Sequence, residues 1–328
     1  MVRTTDRSNL ARGYSIALLS ILFLATTAIF IRHLTVTYAL PALVLAFWRD
    51  SFVVLTLLVV LGIFRSALLR VEQSHLPYLL AYGLVLALFN ATWTISVAEI
   101  GAAVATVLVY SSAAFTALLG WWLLKERLDG VKLLVVAMSM TGCALVAEAF
   151  RPGVWSANMV GISTGVVSGL MYAFYSIMGR SASQRGLNPW TTLFYTFGFA
   201  AGFLFLFNLL FGRALPGGAQ QLADFFWLGR EWAGWAVLFA LAAIPTVAGY
   251  GLLNVSLVHL PSSVVNLILT SEPVVTALIA YFLLGERLNA VQIGGSALIV
   301  AGVVILRVHE KRVAKQMQTT AVSEGSEC

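Results

Sequence analysis

Two places in this sequence put ionisable side chains among apolar neighbours, where they could bind a charged ligand or move a proton. Glu272 is followed by Pro273 within LTSEPVVTALIAYFLLGERL, and Arg49 is followed by Asp50 within AFWRDSF. Burying a charge is costly unless it is paired or used, so both places are candidates for function. Glu272 could bind an amine or carry a proton, or it could be a structural carboxyl at a bend made by Pro273. Arg49 could bind a carboxylate, or it could pair with Asp50 or Glu272.

Polar and aromatic residues occur in the same kinds of apolar segment. Together they suit a pocket for an amphipathic organic molecule, while any one of them could instead pack or bond between helices. The candidate substrate-binding or coupling residues are Glu272, Arg49, Asn90, Trp93, Tyr110, Tyr172, Tyr175, Tyr250, Asn254, Asn266 and Thr270, with Pro273 as a candidate hinge.

The composition indicates an integral membrane protein. The chain of 328 residues is 60% hydrophobic and 10% charged, whereas soluble domains are about 25% charged. The net charge of +6 is scattered between apolar blocks, which argues against a nucleic-acid partner. Cys143 and Cys328 give neither a disulfide framework nor a metal-binding spacing, so no cofactor and no metal are expected. A membrane enzyme would need clustered nucleophiles, bases or metal ligands, and these isolated acids do not supply them.

The elements that must position these residues are membrane-spanning helices. A span needs about 20 mostly apolar residues, and in lipid an α-helix satisfies the hydrogen bonds of its own backbone N–H and C=O groups. The predicted fold is an all-α integral membrane protein with ten transmembrane helices. Their approximate limits are 13–33, 41–64, 76–97, 101–124, 131–149, 158–179, 189–211, 234–257, 261–284 and 289–307.

The distribution of Lys and Arg predicts the orientation. If the N-terminus faces the cytoplasm, most basic residues of the loops and tails fall on the cytoplasmic side, as the positive-inside rule requires. Both termini are therefore expected in the cytoplasm, with a polar and aperiodic tail from Lys315 to Cys328 that is predicted to be disordered. The first apolar run carries no small-residue cleavage site and is interpreted as an uncleaved anchor.

The chain contains an internal repeat. Residues 101–131, GAAVATVLVYSSAAFTALLGWWLLKERLDGV, align without a gap to residues 261–291, PSSVVNLILTSEPVVTALIAYFLLGERLNAV, at a shift of 160. Earlier segments align at a shift of 148, which pairs Gly13 with Gly161 and Arg32 with Arg180. The twelve-residue difference falls in the loop after the seventh span. Five spans per copy is an odd number, so the second copy enters the membrane inverted, an architecture typical of transporters.

These segments, two five-span units each with a TAL…LLxERL stretch, resemble the EamA branch of the drug/metabolite transporter superfamily. The resemblance implies a first repeat at 13–149 and a second at 158–307, joined by a loop at 150–157, with cytoplasmic segments at 1–12 and 308–328. It also implies export of small metabolites by alternating access across the plasma membrane, with amino acids or related compounds as the expected substrates. This sequence departs from a strict repeat at Ser112–Ala113, which align with Glu272–Pro273.

Several functional alternatives remain at this stage. The aromatic residues with a mid-span acid also fit efflux of cationic or aromatic drugs, and a non-transporting sensor or scaffold would keep the same fold. Recognition of phosphate-rich substrates needs several basic side chains, and away from their ends the predicted spans offer only Arg49. The expected partners are a small-molecule substrate and the lipid bilayer, with protons as a coupling ion. Small residues at 294, 297 and 301 could form a homodimer face on the last helix.

Overall fold

The described part of the chain is helical, as the apolar composition predicts. The computed structural model describes residues 7–100, 105, 108–125, 128–146, 149–150, 159–275, 278–279 and 289–325, and no strand occurs within these ranges. The helices are α1 (Arg7–Thr37), α2 (Ala42–Phe64), α3 (Leu76–Ile100), α4 (Ser112–Leu124), α5 (Gly130–Val146), α6 (Met159–Gln184), α7 (Pro189–Phe211), α8 (Trp232–His259), α9 (Ser262–Val275) and α10 (Ala290–Gly325). The all-α membrane class is thereby confirmed.

Six helices, α1, α2, α3, α6, α7 and α8, are long and apolar enough to cross a membrane. Four shorter apolar stretches follow the order of the remaining predicted spans: Leu108–Leu123, Gly130–Leu145, Ser262–Val275 and Ala290–Leu306. Because a span needs about 20 residues, the count of ten spans stays a prediction. The tail differs from its expectation, since α10 continues through the polar residues to Gly325.

Local signals in the sequence account for several helix boundaries. Pro189 occupies the first turn of α7, where its missing N–H costs nothing, and the Asn188 side chain accepts a hydrogen bond from the Trp190 N–H at 2.9 Å. Inside α8, a π-helical turn at Ala242–Thr246 accommodates Pro245, which cannot donate a backbone hydrogen bond within a regular helix.

The helix ends define two sides of the bundle. We call the side on which α1 begins the N-terminal side; contacts at Gly13, Leu68 and Arg180 join helix ends there. The other side, which we call the opposite side, carries the loop between α7 and α8. This loop docks onto α1 and α2, because the Leu43 N–H donates to the Gly217 carbonyl at 2.9 Å. The Trp48 indole also donates to the Phe225 carbonyl at 2.6 Å.

Close helix contacts follow the repeat register. A Cβ on Gly13 would lie within 3 Å of Leu260 and His259, and a Cβ on Gly161 would lie within 3 Å of Ile100 and Glu99. The residue numbers of the two glycines differ by 148 and those of the residues they contact differ by 160, which are the two shifts of the predicted repeat. Equivalent helices therefore meet at equivalent residues in both halves, which supports the inverted repeat.

The small residues of α6 and α7 behave differently. A Cβ on Gly169 would come within 2.5 Å of the Ser111 hydroxyl and 2.9 Å of the Leu108 carbonyl, so α6 requires glycine there. Gly202 on α7 has no atom within 4 Å of its Cβ position in the described part, so this face of α7 is not used for close packing.

Candidate functional site

A small, partly open cavity lies among α1, α2, α3, α6, α8, α9 and the residues just before α4. Six predicted site residues line it together with four residues that were not singled out from the sequence. The lining consists of Leu24, Thr27, Arg49, Phe89, Trp93, Val109, Tyr110, Tyr172, Tyr250 and Glu272. Trp93 lies about 10 Å along α3 from the helix end on the opposite side. The cavity therefore lies nearer to the opposite side than to the N-terminal side along α3.

Arg49 is held in place by an ion pair within its own helix. Its Nε lies 3.1 Å from Asp50 Oδ1, and both side chains are almost completely buried. The Asn90 side-chain amide of α3 donates to Asp50 Oδ2 at 2.7 Å, so both carboxylate oxygens of Asp50 are used. Arg49 Nη2 has no hydrogen-bond partner among the described residues. The guanidinium is thus anchored at one edge while another nitrogen is left for a ligand.

Glu272 reaches the cavity at a break in α9. Regular helix stops at Leu269, Thr270 and Ser271 form a turn, and helix resumes at Glu272. The Tyr110 hydroxyl hydrogen-bonds the Glu272 carboxyl, and Tyr110 itself is buried. The second repeat thus places its acid in the same cavity as the arginine of the first repeat.

The break does not depend on proline alone. In the first repeat, a turn at Ser111 precedes α4 at the position equivalent to Ser271, although Ala113 stands where the second repeat has Pro273. Both serine hydroxyls donate to the carbonyl three residues earlier, Ser111 to Leu108 and Ser271 to Ile268. The sequence predicted a bend at the Glu-Pro pair; in the structure the turn lies at Thr270 and Ser271, just before that pair, and both repeats share it.

Aromatic rings form much of the cavity wall and the layer behind it. Phe89 and Tyr172 have ring centroids 4.9 Å apart, and Tyr172 stacks on Tyr175 at 6.2 Å. Tyr175 meets the edge of Tyr250 at 5.6 Å, and Tyr250 is backed by Phe197 at 5.4 Å. Rings supported from behind keep their positions, so the wall is preformed for a flat or apolar group.

The other predicted site residues do not line the cavity. Asn90 binds Asp50, and the Tyr175 hydroxyl lies 3.4 Å from Asn254 Oδ1, behind Tyr172. Asn266 donates to the Thr116 hydroxyl at 2.6 Å and joins the two repeats. The Thr270 hydroxyl bonds the Leu267 carbonyl of its own helix. These side chains support the surrounding structure rather than form the cavity surface.

The sequence reasoning missed Leu24, Thr27, Phe89 and Val109. Leu24, Phe89 and Val109 are apolar residues in apolar helices and carry no chemical signal of their own. The repeat register could have identified two of these four residues, because a shift of 148 pairs Leu24 with Tyr172 and Thr27 with Tyr175, which are both candidate site residues. Within the described ranges, no three His, Cys, Asp or Glu side chains come close enough to hold a metal ion.

Comparisons with known proteins agree with this architecture. A solved crystal structure shares the fold with a TM-score of 0.72 at 15% identity, covering 92% of this chain and 99% of that one. A protein of Archaeoglobus fulgidus described as a transporter is 27% identical over 67% of this chain and 74% of its own. A probable amino-acid metabolite efflux pump of Salmonella typhimurium is 25% identical over 70% of this chain and 76% of its own.

The family comparison divides the chain where the internal repeat does. The EamA-like transporter family matches twice, over residues 11–147 and again over residues 159–308. Two matches that together span most of the sequence account for the paired helix contacts and for a cavity between the two halves. The chain belongs to the EamA-like transporter family.

Proposed function

We propose that this transporter carries zwitterionic amino acids or closely related metabolites out of the cell through the cavity between its repeats. The observation that supports this most directly is one cavity lined by a guanidinium from the first repeat and a carboxyl from the second. An amino acid presents the complementary pair, an α-carboxylate for Arg49 and an α-ammonium for Glu272. A probable amino-acid metabolite efflux pump among the relatives is consistent with this substrate class.

The anchoring of Arg49 supports the assignment of the carboxylate site. A buried nitrogen with no hydrogen-bond partner among the described residues costs free energy, about 1–3 kcal/mol for an unsatisfied donor. A bound carboxylate would remove that cost through a charge-assisted hydrogen bond. Since Asp50 is already engaged by Asn90 and by Arg49 Nε, it holds the guanidinium without using all of its donors.

The cavity chemistry also argues against phosphorylated substrates. Recognition of phosphate groups generally uses several cationic donors, and Arg49 is the one cationic side chain among the described residues that line the cavity. The other polar groups of the described lining are the hydroxyls of Thr27 and the tyrosines, the indole N–H of Trp93 and the carboxyl of Glu272. A carboxyl in the wall would repel a phosphate dianion.

The test uses proteoliposomes loaded with labelled amino acids and with two kinds of charge-deleted analogue. Amino-acid methyl esters lack the carboxylate, and N-acetyl amino acids lack the ammonium group. We expect wild-type protein to export the zwitterions at least about tenfold more efficiently than either analogue, since a charge-assisted hydrogen bond contributes about 1.5–3 kcal/mol.

Two variants assign the charges. Arg49→Gln should lose the preference for the free amino acid over its methyl ester but keep the preference over the N-acetyl form. Glu272→Gln should show the reverse pattern. Glu231→Gln, which changes an exposed carboxyl at the start of α8, is the matched control and should behave as wild type. Equal transport of zwitterion and analogues by the wild type would refute the proposed substrate class.

Glu272 also raises the question of proton coupling. If Glu272 exchanges a proton during each cycle, an imposed pH gradient should accelerate amino-acid efflux by wild type and leave Glu272→Gln unaffected. If the gradient accelerated neither protein, transport would be facilitated diffusion, and equal acceleration of both would assign the coupling to a group other than Glu272. The substrate proposal is independent of this outcome, since the analogue experiment needs no gradient.

A second candidate function is efflux of cationic aromatic compounds. The favouring observation is the wall of Phe89, Trp93, Tyr172 and Tyr250 beside Glu272, because cations bind the faces of aromatic rings. Competition separates the two functions. A quaternary aromatic cation that is itself exported, with no export of amino acids, would replace the first proposal by the second.

A further inference from the structure

On the N-terminal side, α6 is fastened to the last turn of α8. Arg180 Nη1 donates to the carbonyl of Leu257 at 2.7 Å and to the carbonyl of Val258 at 3.0 Å. The last carbonyls of a helix lack intrahelical partners and carry partial negative charge, so an arginine is a strong ligand for them. This single side chain therefore joins two helices of the second repeat at their ends.

Two further contacts lie between Arg180 and the cavity. A Cβ on Gly179 would be 2.7 Å from the Leu257 side chain, so the helices touch closely there. Deeper in the bundle, the Tyr175 hydroxyl approaches Asn254 Oδ1 at 3.4 Å. We call this group of contacts the α6–α8 clamp. It consists of Arg180, Gly179 and Tyr175 of α6 and of Asn254, Leu257 and Val258 of α8. It fills the N-terminal side between α6 and α8.

The repeat register names the equivalent positions in the first half. Shifts of 148 and 160 relate the α6–α8 clamp to residues of α1 and α3, which we call the α1–α3 counterpart: Arg32, Ile31 and Thr27 against Thr94, Val97 and Ala98. Because the repeats are inverted, this set lies on the opposite side of the bundle. The side chain of Arg32 lies outside the described part of the structure, while its backbone continues α1.

The described side chains of the α1–α3 counterpart do not join α1 to α3 as those of the clamp join α6 to α8. Thr27 lines the cavity, and its hydroxyl has no hydrogen-bond partner among the described residues. Thr94, the equivalent of Asn254, bonds the Asn90 carbonyl of its own helix at 2.5 Å instead of reaching α1. α6 packs against α8, whereas α1 and α3 are not a closely packed pair over their described residues. Over the described residues, the equivalent helices are therefore packed together on one side of the bundle and not on the other.

We infer that Arg180 and Arg32 are alternating gate residues. In the state shown, Arg180 holds the N-terminal side closed. When the transporter turns over, Arg180 leaves the α8 carbonyls, and Arg32 takes the equivalent carbonyls of Val97 and Ala98 and closes the opposite side. The inference requires that the protein be a carrier with two states, but it does not depend on which substrate is carried.

Disulfide trapping in membranes without added substrate tests the inference. Cys143 and Cys328 are first replaced by Ala, and two cysteine pairs are then introduced separately. Gly179→Cys with Leu257→Cys reports closure of the α6–α8 clamp, and its smaller side chain at position 257 makes room for the new Cβ. Ile31→Cys with Val97→Cys reports closure of the α1–α3 counterpart. The rate of oxidative cross-linking is measured for each pair.

We expect the 179/257 pair to cross-link faster than the 31/97 pair. Arg180→Gln should raise the 31/97 rate relative to the 179/257 rate by about tenfold, as expected for loss of a charge-assisted hydrogen bond. Arg32→Gln should change the ratio in the opposite direction. Arg185→Gln is the matched control, because Arg185 lies near the same helix end but stacks over Tyr78 at 4.4 Å instead of binding α8. It should leave the ratio unchanged.

A purely structural arginine gives a different result. If Arg180 only stabilised the fold, Arg180→Gln would lower the thermal unfolding temperature and leave the ratio of cross-linking rates unaltered. That result, or a shift of the ratio in the same direction by both arginine variants, would overturn the inference. The readout needs no transported substrate, so a failed amino-acid assay and a failed gate are distinguishable outcomes.

Discussion

At the scale of single residues, the Asp50 carboxylate organises the candidate carboxylate site. It accepts hydrogen bonds from Arg49 and from Asn90 on another helix. A buried carboxylate that keeps both partners fixes the arginine in one position. Removing the Asn90 contact leaves one oxygen of Asp50 without its donor and lets it compete for the remaining nitrogens of Arg49.

Asn90→Ala should therefore weaken substrate binding as well as the fold. We expect the KM for transport to rise several-fold and the free energy of unfolding in detergent to fall by about 1–3 kcal/mol. Asn208→Ala is the matched control, since Asn208 is an equally buried asparagine with bonds to Leu43, Leu204 and Ala219. It should lower stability with little change in KM. Equal changes in KM for both variants would count against a positioning role for Asn90.

Asp129 shows a second residue-scale effect, outside the membrane-spanning segments. Its Oδ1 accepts the Lys132 N–H at 2.9 Å and so caps the start of α5, while Oδ2 lies 2.7 Å from His309 Nε2 at the end of α10's apolar part. Partial burial raises the pKa of Asp129, but the Lys132 bond and the His309 contact outweigh it and hold the pKa below the ordinary 3.8.

Asp129→Ala should lower the free energy of unfolding by about 1 kcal/mol at pH 7, the usual effect of losing a helix cap. Asp129→Asn, which keeps a capping oxygen, should cost less. Because the folded-state pKa is lowered, the contribution of the charge is present above the ordinary pKa and disappears as pH falls through the lowered value. Chemical unfolding in detergent from pH 7 to pH 3 measures this; a wild-type advantage over Asn that does not decrease between pH 7 and pH 3 would contradict the assignment.

At the scale of elements, glycine positions distinguish helix faces that need close approach from faces that do not. Gly169→Ala places a Cβ against a backbone carbonyl of the chain before α4, so this contact cannot relax by rotating a side chain. We expect loss of at least about 1 kcal/mol of stability from such overpacking. Gly202→Ala adds a methyl group to an open face of α7 and should be neutral or stabilising by about 0.5–1 kcal/mol. Thermal unfolding of both variants in the same detergent checks the contrast.

The elements were largely predictable, because apolar length and flanking charges decide where a membrane helix begins and ends. The broken α9 was predictable from Glu272 and Pro273, whereas the matching turn at Ser111 was not, since a serine in an apolar helix usually bonds its own backbone without breaking it. The sequence also could not predict which candidate residues line the cavity and which lie behind the residues that line it. Tyr172 lines the cavity while Tyr175, one helical turn away, lies behind it.

At the scale of the whole molecule, the repeat register carried the most information. It paired Gly13 with Gly161, and the structure shows both glycines against equivalent helix ends. The register relates equivalent positions of the two halves, but it does not show which side of the bundle is closed. That difference lies in the packing, where Tyr175 approaches Asn254 and Thr27 faces the cavity.

The loop between α7 and α8 breaks the equivalence of the two halves. It contains the twelve residues that change the register from 148 to 160, and it binds α1 and α2 on the opposite side through Leu43, Trp48 and Tyr38. In a carrier with two end states, such one-sided contacts would make the states unequal in free energy, and the empty protein would then occupy one state most of the time. Detailed balance still forbids this asymmetry from driving net movement. For a passive carrier, the maximal velocity divided by the half-saturation concentration must be the same in both directions. The loop can therefore make the half-saturation concentrations on the two sides of the membrane differ. The direction of net flow is still decided by the substrate gradient alone.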